Sequence, residues 1–154
     1  MNITYRRAVK TDFDSINALF MEMLRAIYHK DDVNGYEPGS LDYYFSGGES
    51  WICLAETEDA VVGFLAIEVH REEFDYLYYD DFSVSASLRS RGIGAELMQK
   101  AEDYARSLGI EKICLHVEKE NQRAFRFYEK HGFAPVRDDG TRLLLGKELQ
   151  DRPC

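Results

Sequence analysis

The stretch "LRSRGIGAEL", Leu88 to Leu97, sets two arginines two residues apart in front of two glycines with the same spacing. It sits in a chain of 154 residues whose formal net charge is −9. Arginine beside glycine suits an anion held close to backbone. Gly92 and Gly94 let a guest approach the main chain because no Cβ blocks it. Arg89 and Arg91 add charge-assisted hydrogen bonds. A helix beginning at Ile93 would aim unpaired N–H groups and the positive end of its dipole at the same place. A phosphate or pyrophosphate is the natural guest. The plainer reading is a turn whose arginines are merely solvated, because a lone R-x-x-G-x-G is a weak motif. A P-loop is excluded, since no Gly-Lys-Ser/Thr follows. A dinucleotide fingerprint is approached, with Glu118 ending the next strand as a ribose ligand would. It is not met: Leu97 stands at the third glycine, and Gly92 lies eight residues beyond Val84 rather than in a tight turn.

Other side chains that could do chemistry are scattered. "YYDDFSV" carries two adjacent carboxylates, and strand alternation puts Asp80, Phe82 and Val84 on one face and Asp81 on the other. His29, His70, His116 and His131 are not spaced to cluster, and no metal site is expected. His116 alternates with Ile113, Leu115 and Val117 and is expected as a core or edge histidine, with contact to an acceptor substrate as the alternative. Cys53, Cys114 and Cys154 form neither a zinc pattern nor a disulfide framework.

These residues need elements to position them. "ITYRRAV" alternates as a first strand. A helix follows, with Thr11 as cap, Asp12 and Asp14 in its first turn, and Ile16, Leu19, Phe20, Met23, Leu24 and Ile27 as its apolar face. The segment 30–40 carries turn signals, then comes the short amphipathic "LDYYF". "WICLAET" and "AVVGFLAIEV" form a hairpin. "LYYDDFSV" is a fourth strand, and the glycine loop opens a helix from Ile93 to Leu108 that Gly109 ends. That helix carries its apolar stripe at Ile93, Leu97, Ala101, Tyr104 and Leu108. "KICLHV" is a fifth strand. A helix capped by Asn121 and stopped by Gly132 precedes a hairpin of "FAPVR" and "TRLLLGKEL". The order predicts one α/β (α+β) domain over 1–154, with a mixed, mostly antiparallel sheet and one parallel crossover around the glycine loop.

Downstream, "LHVEKENQRAFRFYEKHGF" reads L-x-V-x-x-x-N-x-x-A-x-x-F-Y-x-x-x-G-F. Together with "DDFSV…RSRGIGAEL" this resembles the GNAT superfamily of acetyl-CoA-dependent N-acetyltransferases. The resemblance implies a central sheet flanked by helices, with a splayed parallel strand pair at the acetyl-CoA site. It implies that Arg89, Ser90, Arg91, Gly92, Ile93, Gly94 and Ala95 cradle the pyrophosphate of coenzyme A. It implies that Phe82, Ser83 and Val84 pair with the pantetheine arm as an added strand would. A backbone N–H near Val84 would stabilise the developing oxyanion. Direct attack by an amine needs a base, because an alkyl ammonium has a pKa of about 10.4. The resemblance assigns Asp80, with Asp81 as runner-up, against the plain reading that both are solvated or paired. Tyr128 matches the family's general acid on the last helix, against a packed core tyrosine. Asn121 caps its helix and could also bond the pantetheine arm. Ala124 and Phe125 line the cofactor slot, while Phe127 and Phe133 are expected in the core.

The acceptor is the least legible part. Asp31, Asp32, Glu37, Asp42, Glu72, Glu73, Asp75, Asp80 and Asp81 are interleaved with Tyr36, Tyr43, Tyr44, Tyr76, Tyr78 and Tyr79. Carboxylates with aromatic faces suit a small cationic amine, polyamine-like or aminoglycoside-like. The plain reading is that an acidic protein has acidic loops. A protein N-terminus or lysine is the alternative acceptor, and a non-catalytic acyl-CoA-binding module ranks third. The negative charge argues against nucleic acid as partner. No apolar run is long enough to span a bilayer. The N-terminal residues do not read as a secretory signal, and "DRPC" does not fit a prenylation box, so a cytoplasmic protein is expected. A homodimer is expected only by family analogy.

Overall fold

The computed structural model describes residues 2–149, so Cys154 lies outside it. Seven strands and four helices follow the expected order: β1 (Thr4–Arg7), α1 (Phe13–Tyr28), α2 (Asp42–Phe45), β2 (Trp51–Glu56), β3 (Val61–His70), β4 (Tyr76–Val84), α3 (Ile93–Ser107), β5 (Lys112–Glu118), α4 (Gln122–Lys130), β6 (Ala134–Asp138) and β7 (Arg142–Glu148). The strands form one mostly antiparallel sheet in the order β1-β2-β3-β4-β5-β7-β6. The exception is the parallel pair β4–β5, whose register runs Leu77↔Ile113, Tyr78↔Cys114 and Tyr79↔Leu115. That register ends at Tyr79, while β4 continues to Val84 and β5 to Glu118. Among the described residues, no helix is long and apolar enough to cross a membrane.

Contacts divide the described residues into two compact units, 2–67 with Asp81–Ala101, and Glu68–Asp80 with 102–149. In the first, Ile16 and Leu19 of α1 pack into a core with Ala8, Leu41, Tyr44, Ile52, Leu54 and Phe64. The remaining apolar face of α1 is only partly covered. Thr11 does not cap this helix. A single 3-10 turn, Lys10–Asp12, leads into it, and Asp12 Oδ2 instead accepts from Val9 N–H at 2.8 Å. The segment after α1 is pinned down. Tyr36 N–H donates to Asn17 Oδ1 at 2.7 Å, and the Tyr36 ring stacks on Phe20 with centroids 4.0 Å apart. A Cβ at Gly35 would run into the Asn17 amide, so a larger residue there would have to displace the group that holds Tyr36.

In the second unit, Ile113, Leu115 and Val117 bury one face of β5 against a core that includes Leu77, Tyr79, Phe133 and Leu145. Lys147 Nζ donates to the buried Glu102 at 3.1 Å, so this inward-facing carboxylate has a cation beside it. The stripe of α3 drifts from the expected positions. Met98 and Ala105 are buried, while Tyr104 and Leu108 are only partly so. Ala105 rather than Tyr104 continues the row of Ile93, Leu97 and Ala101, Met98 and Glu102 widen the buried face by one position, and Leu108 lies just past the end of the helix.

The N-terminal strand is held by charge as well as by pairing. Arg6 donates to both oxygens of Asp12 at 2.9 Å and to Glu56 at 2.8 and 3.2 Å. Arg6 is the main cause that holds the Asp12 carboxyl below its usual range. A carboxyl whose folded pKa is depressed stabilises the fold above its unfolded pKa of about 3.9, and that contribution fades as pH falls through the lower folded value. Arg6→Ala leaves Asp12 with the Val9 N–H but no cation. It is expected to cost about 1–3 kcal/mol at neutral pH by urea unfolding. The loss is expected to shrink below about pH 3.9, where Asp12 protonates in the variant. An equal loss at pH 7 and pH 2.5 would show that Arg6 acts by packing alone.

Candidate active site

The anion loop is built by left-handed backbone. After a 3-10 turn, Ala86–Leu88, Ser90 takes φ +66° and Gly92 φ +79°, on either side of Arg91. Successive N–H groups in such a turn converge into an anion-binding concavity. A Cβ at Gly92 would meet nothing within 4 Å, so the glycine is needed for its φ and leaves open space above the backbone. Arg89, Ser90, Arg91 and Gly92 are exposed, Ile93 is buried beneath them, and Gly94 and Ala95 are half-buried at the start of α3. Glu96 N–H donates to Gly92 O at 3.0 Å, which fixes the first turn. The sequence missed the left-handed Ser90, since serine gives no signal for positive φ.

On β4 the two neighbouring carboxylates separate as alternation requires. Asp80 is exposed, and Asp81 is half-buried and accepts a hydrogen bond from Tyr36 Oη at 2.5 Å. Phe82 and Val84 are half-buried; Ser83 is buried and donates to Leu19 O at 3.4 Å. Ser85 N–H donates to Val62 O at 2.8 Å, tying the end of β4 to β3 in the first unit.

On the second unit, Asn121 caps α4, accepting from Ala124 N–H at 3.3 Å, and Gly132 ends it at φ +94°. Tyr128 is half-buried with its ring edge-on to Phe127 and Phe133, centroids 5.6 and 5.8 Å away. Burial raises its phenol pKa well above the ordinary value. Ala124, Phe125 and Phe127 are half-buried, and Phe133 is fully so.

Two expectations change here. Tyr44 and Tyr79, counted with the aromatic acceptor-side residues, are core side chains with 6% and 1% exposure. Asp75 and Asp42 are paired with Arg71 at 2.9 Å and Lys10 at 3.9 Å. The histidines also meet more than their spacing suggested. His70, hydrogen-bonded to Glu68 at 2.8 Å, lies edge-on to Tyr78 at 6.4 Å, and His116 Nδ1 is 2.6 Å from the same tyrosine's hydroxyl. His116 Nε2 is 2.8 Å from Asp139 Oδ2, so this histidine is a bridge rather than a core or edge filler. The β4–β5 register brings Tyr78 and His116 together, and nothing in the local sequence marks it. Among the described residues, no group of three or more His, Cys, Asp or Glu could hold a metal ion.

Comparison with known proteins agrees with this architecture. The profile of the Acetyltransferase (GNAT) family matches residues 18–133. An uncharacterized N-acetyltransferase of Archaeoglobus fulgidus is 31% identical over 134 residues, covering 80% of this chain and 87% of the relative. PaiA N-acetyltransferase from Thermoplasma acidophilum, solved in complex with coenzyme A, shares the fold with a TM-score of 0.80 at 18% identity, covering 96% of this chain and 99% of the other. A chain of the NatC complex bound to Gag peptide and CoA superposes with a TM-score of 0.75 at 22% identity, covering 97% and 100%. The family profile spans both the glycine loop and the capped helix with its tyrosine, and the chain belongs to the GNAT acetyltransferase family.

Proposed function

We propose that this acetyltransferase moves the acetyl group of acetyl-CoA to the primary amine of a small cationic molecule, by direct attack of the amine on the thioester. The observation that carries the donor's assignment is the left-handed turn at Ser90 and Gly92, with Arg89 and Arg91 exposed beside it at the start of α3. A turn of N–H groups with two guanidinium ions suits a pyrophosphate. The neighbour solved with coenzyme A supports the same choice of guest. The pantetheine arm runs along Phe82, Ser83 and Val84, beyond the last residue of the parallel register, and pairs there as an added strand. In the second unit, Asn121 caps α4 through the Ala124 N–H, and the family resemblance assigns Ala124 and Phe125 to the cofactor slot.

Roles in the chemistry follow from what each side chain can do. Asp80, exposed at neutral pH, draws in the ammonium and takes its proton, directly or through water. Asp81 is the weaker candidate, because one of its oxygens already accepts from Tyr36. Tyr128 protonates the departing thiolate; its raised pKa keeps the phenol protonated across the working range. Exposed carboxylates in the segment after α1 and before β4 favour a cationic acceptor. A peptide amine is the second reading, favoured by the neighbour bound to Gag peptide and CoA.

A thiol-release assay with acetyl-CoA and spermidine, kanamycin, L-lysine or short peptides separates the acceptors. Turnover is expected with the polyamine or the aminoglycoside, and turnover with peptides alone would replace the small-amine reading. Gly92→Glu is expected to abolish acetyl-CoA binding by calorimetry. Gly92→Ala, which adds the positive-φ strain without the charge, is expected to weaken it less. Unchanged affinity in Gly92→Glu removes the loop from the cofactor site. Tyr128→Phe is expected to lower kcat about a hundredfold with acetyl-CoA affinity retained; wild-type kcat would leave Tyr128 a packing residue.

A further inference from the structure

Four side chains of the second unit form one continuous hydrogen-bonded chain. Tyr78 meets His116 Nδ1 at 2.6 Å, His116 Nε2 meets Asp139 Oδ2 at 2.8 Å, and Arg137 grips Asp139 through Nε at 2.6 Å and Nη2 at 3.0 Å. The carboxylate of Asp139 fixes the direction of the bonds it receives, and the neutral ring of His116 then fixes the one from Tyr78. Arg137 first, and His116 after it, lower its carboxyl to about 2, so it is a carboxylate and can only accept. His116 Nε2 therefore carries a proton. In the neutral ring Nδ1 is then the acceptor, and Tyr78 O–H is the donor. Tyr78 shares a face of β4 with Asp80 by strand alternation. Burial, and after it the charge of Asp80, push its phenol up to about 12. Such a phenol stays protonated at neutral pH. The other groups facing it are Cys114 on β5, Arg142 on β7, and Glu68 and His70 on β3.

We infer that Tyr78 and His116 relay the acceptor's proton away from Asp80, and that Asp139, gripped by Arg137, is a positioning residue that holds His116 in the tautomer the relay needs. The inference rests on the reading of Asp80 as the first proton acceptor. The step balances without any further reactant. The ammonium N–H bond breaks and an O–H bond forms on Asp80. Asp80 then gives this proton to Tyr78 Oη, directly or through water, while the proton already on Tyr78 moves to His116 Nδ1. The products are a neutral amine, a restored Asp80 carboxylate, an intact phenol and an imidazolium facing the Asp139 carboxylate. Positive charge has moved from substrate to imidazole, where a carboxylate waits for it.

The same bonds would appear if the network only pinned the turn between β6 and β7, so the test must move something a pin would not. Turnover is measured on the full chain with acetyl-CoA and whichever of spermidine, kanamycin, L-lysine or a short peptide reacts fastest. Tyr78→Phe and His116→Gln are each expected to lower kcat about tenfold to a hundredfold with unchanged acetyl-CoA affinity. The double variant is expected to fall no further than the worse single one, because the two act as a unit. Nitrogen-15 NMR of His116 is expected to show a protonated Nε2 and a bare Nδ1. Asp139→Asn should populate the other tautomer and lose kcat, and Asp139→Glu should restore both. Wild-type kcat in His116→Gln, or an Nδ1–H tautomer in the unmodified protein, overturns the relay. Loss of kcat in the relay variants but not in Asp80→Asn overturns only the reading of Asp80, leaving Tyr78 to take the proton from the amine itself.

Discussion

One parallel pair of strands governs how this chain is arranged. Antiparallel neighbours can be joined by a tight turn, but parallel neighbours need a crossover that carries the chain back to the starting end. Between β4 and β5 that crossover is the loop 85–92 followed by α3. A helix that must begin soon after a strand ends presents its unpaired N–H groups just past the strand's carboxyl end. The left-handed residues Ser90 and Gly92 turn the chain into that helix. The proposed anion site would then be a consequence of connectivity, with the arginines adding charge to what the backbone already offers. The parallel register is also short, three pairs ending at Tyr79↔Leu115. Main chain from Asp80 onward is thereby released from that ladder, which is what an extended guest needs if it is to pair with backbone.

The same strand sorts side chains by parity. Leu77 and Tyr79 point into the core, which commits Tyr78 and Asp80 to the opposite face. Asp81, on the core-side parity but beyond the hydrophobic stretch, is a half-buried carboxylate that needs a hydrogen-bond donor. Tyr36 supplies one, and to do so the segment after α1 must be held in place by Asn17, Phe20 and the missing Cβ of Gly35. A surface segment that carries acidic residues is thus anchored to α1 and β4 by a few directional contacts rather than by a large apolar area.

Much of this was legible in the sequence. Element order, the β2–β3 and β6–β7 hairpins, the Asn121 cap and the Gly109 and Gly132 stops all depend on residues close together in the chain. The glycine loop was legible for the same reason. What failed was non-local. Thr11 looked like a cap, but Arg6 and Asp12 create a competing charge-assisted network, and Asp12 takes the Val9 N–H. Tyr44 and Tyr79 looked like acceptor-side aromatics, but parity and packing bury them. The Tyr78–His116–Asp139 chain joins β4, β5 and a turn that read only as "DDG". Seeing it requires the β4–β5 and β5–β7 registers together, and one residue of slip in either would turn these side chains to opposite faces.

Charge raises the last constraint. A chain of net charge −9 should repel a pyrophosphate, and the proposed donor carries one. The objection weakens with distance, because at physiological ionic strength exposed charges are screened over about 8 Å. The loop itself carries Arg89 and Arg91 and no acidic residue from Ser83 to Ala95, Glu96 in the first turn of α3 being the first carboxylate after it. Acidic side chains gather instead in the segment after α1 and in the connector before β4. For the proposed cationic acceptor, donor and acceptor would then meet local charges of opposite sign. Local charge, not the net charge of the protein as a whole, decides which ligand each segment attracts.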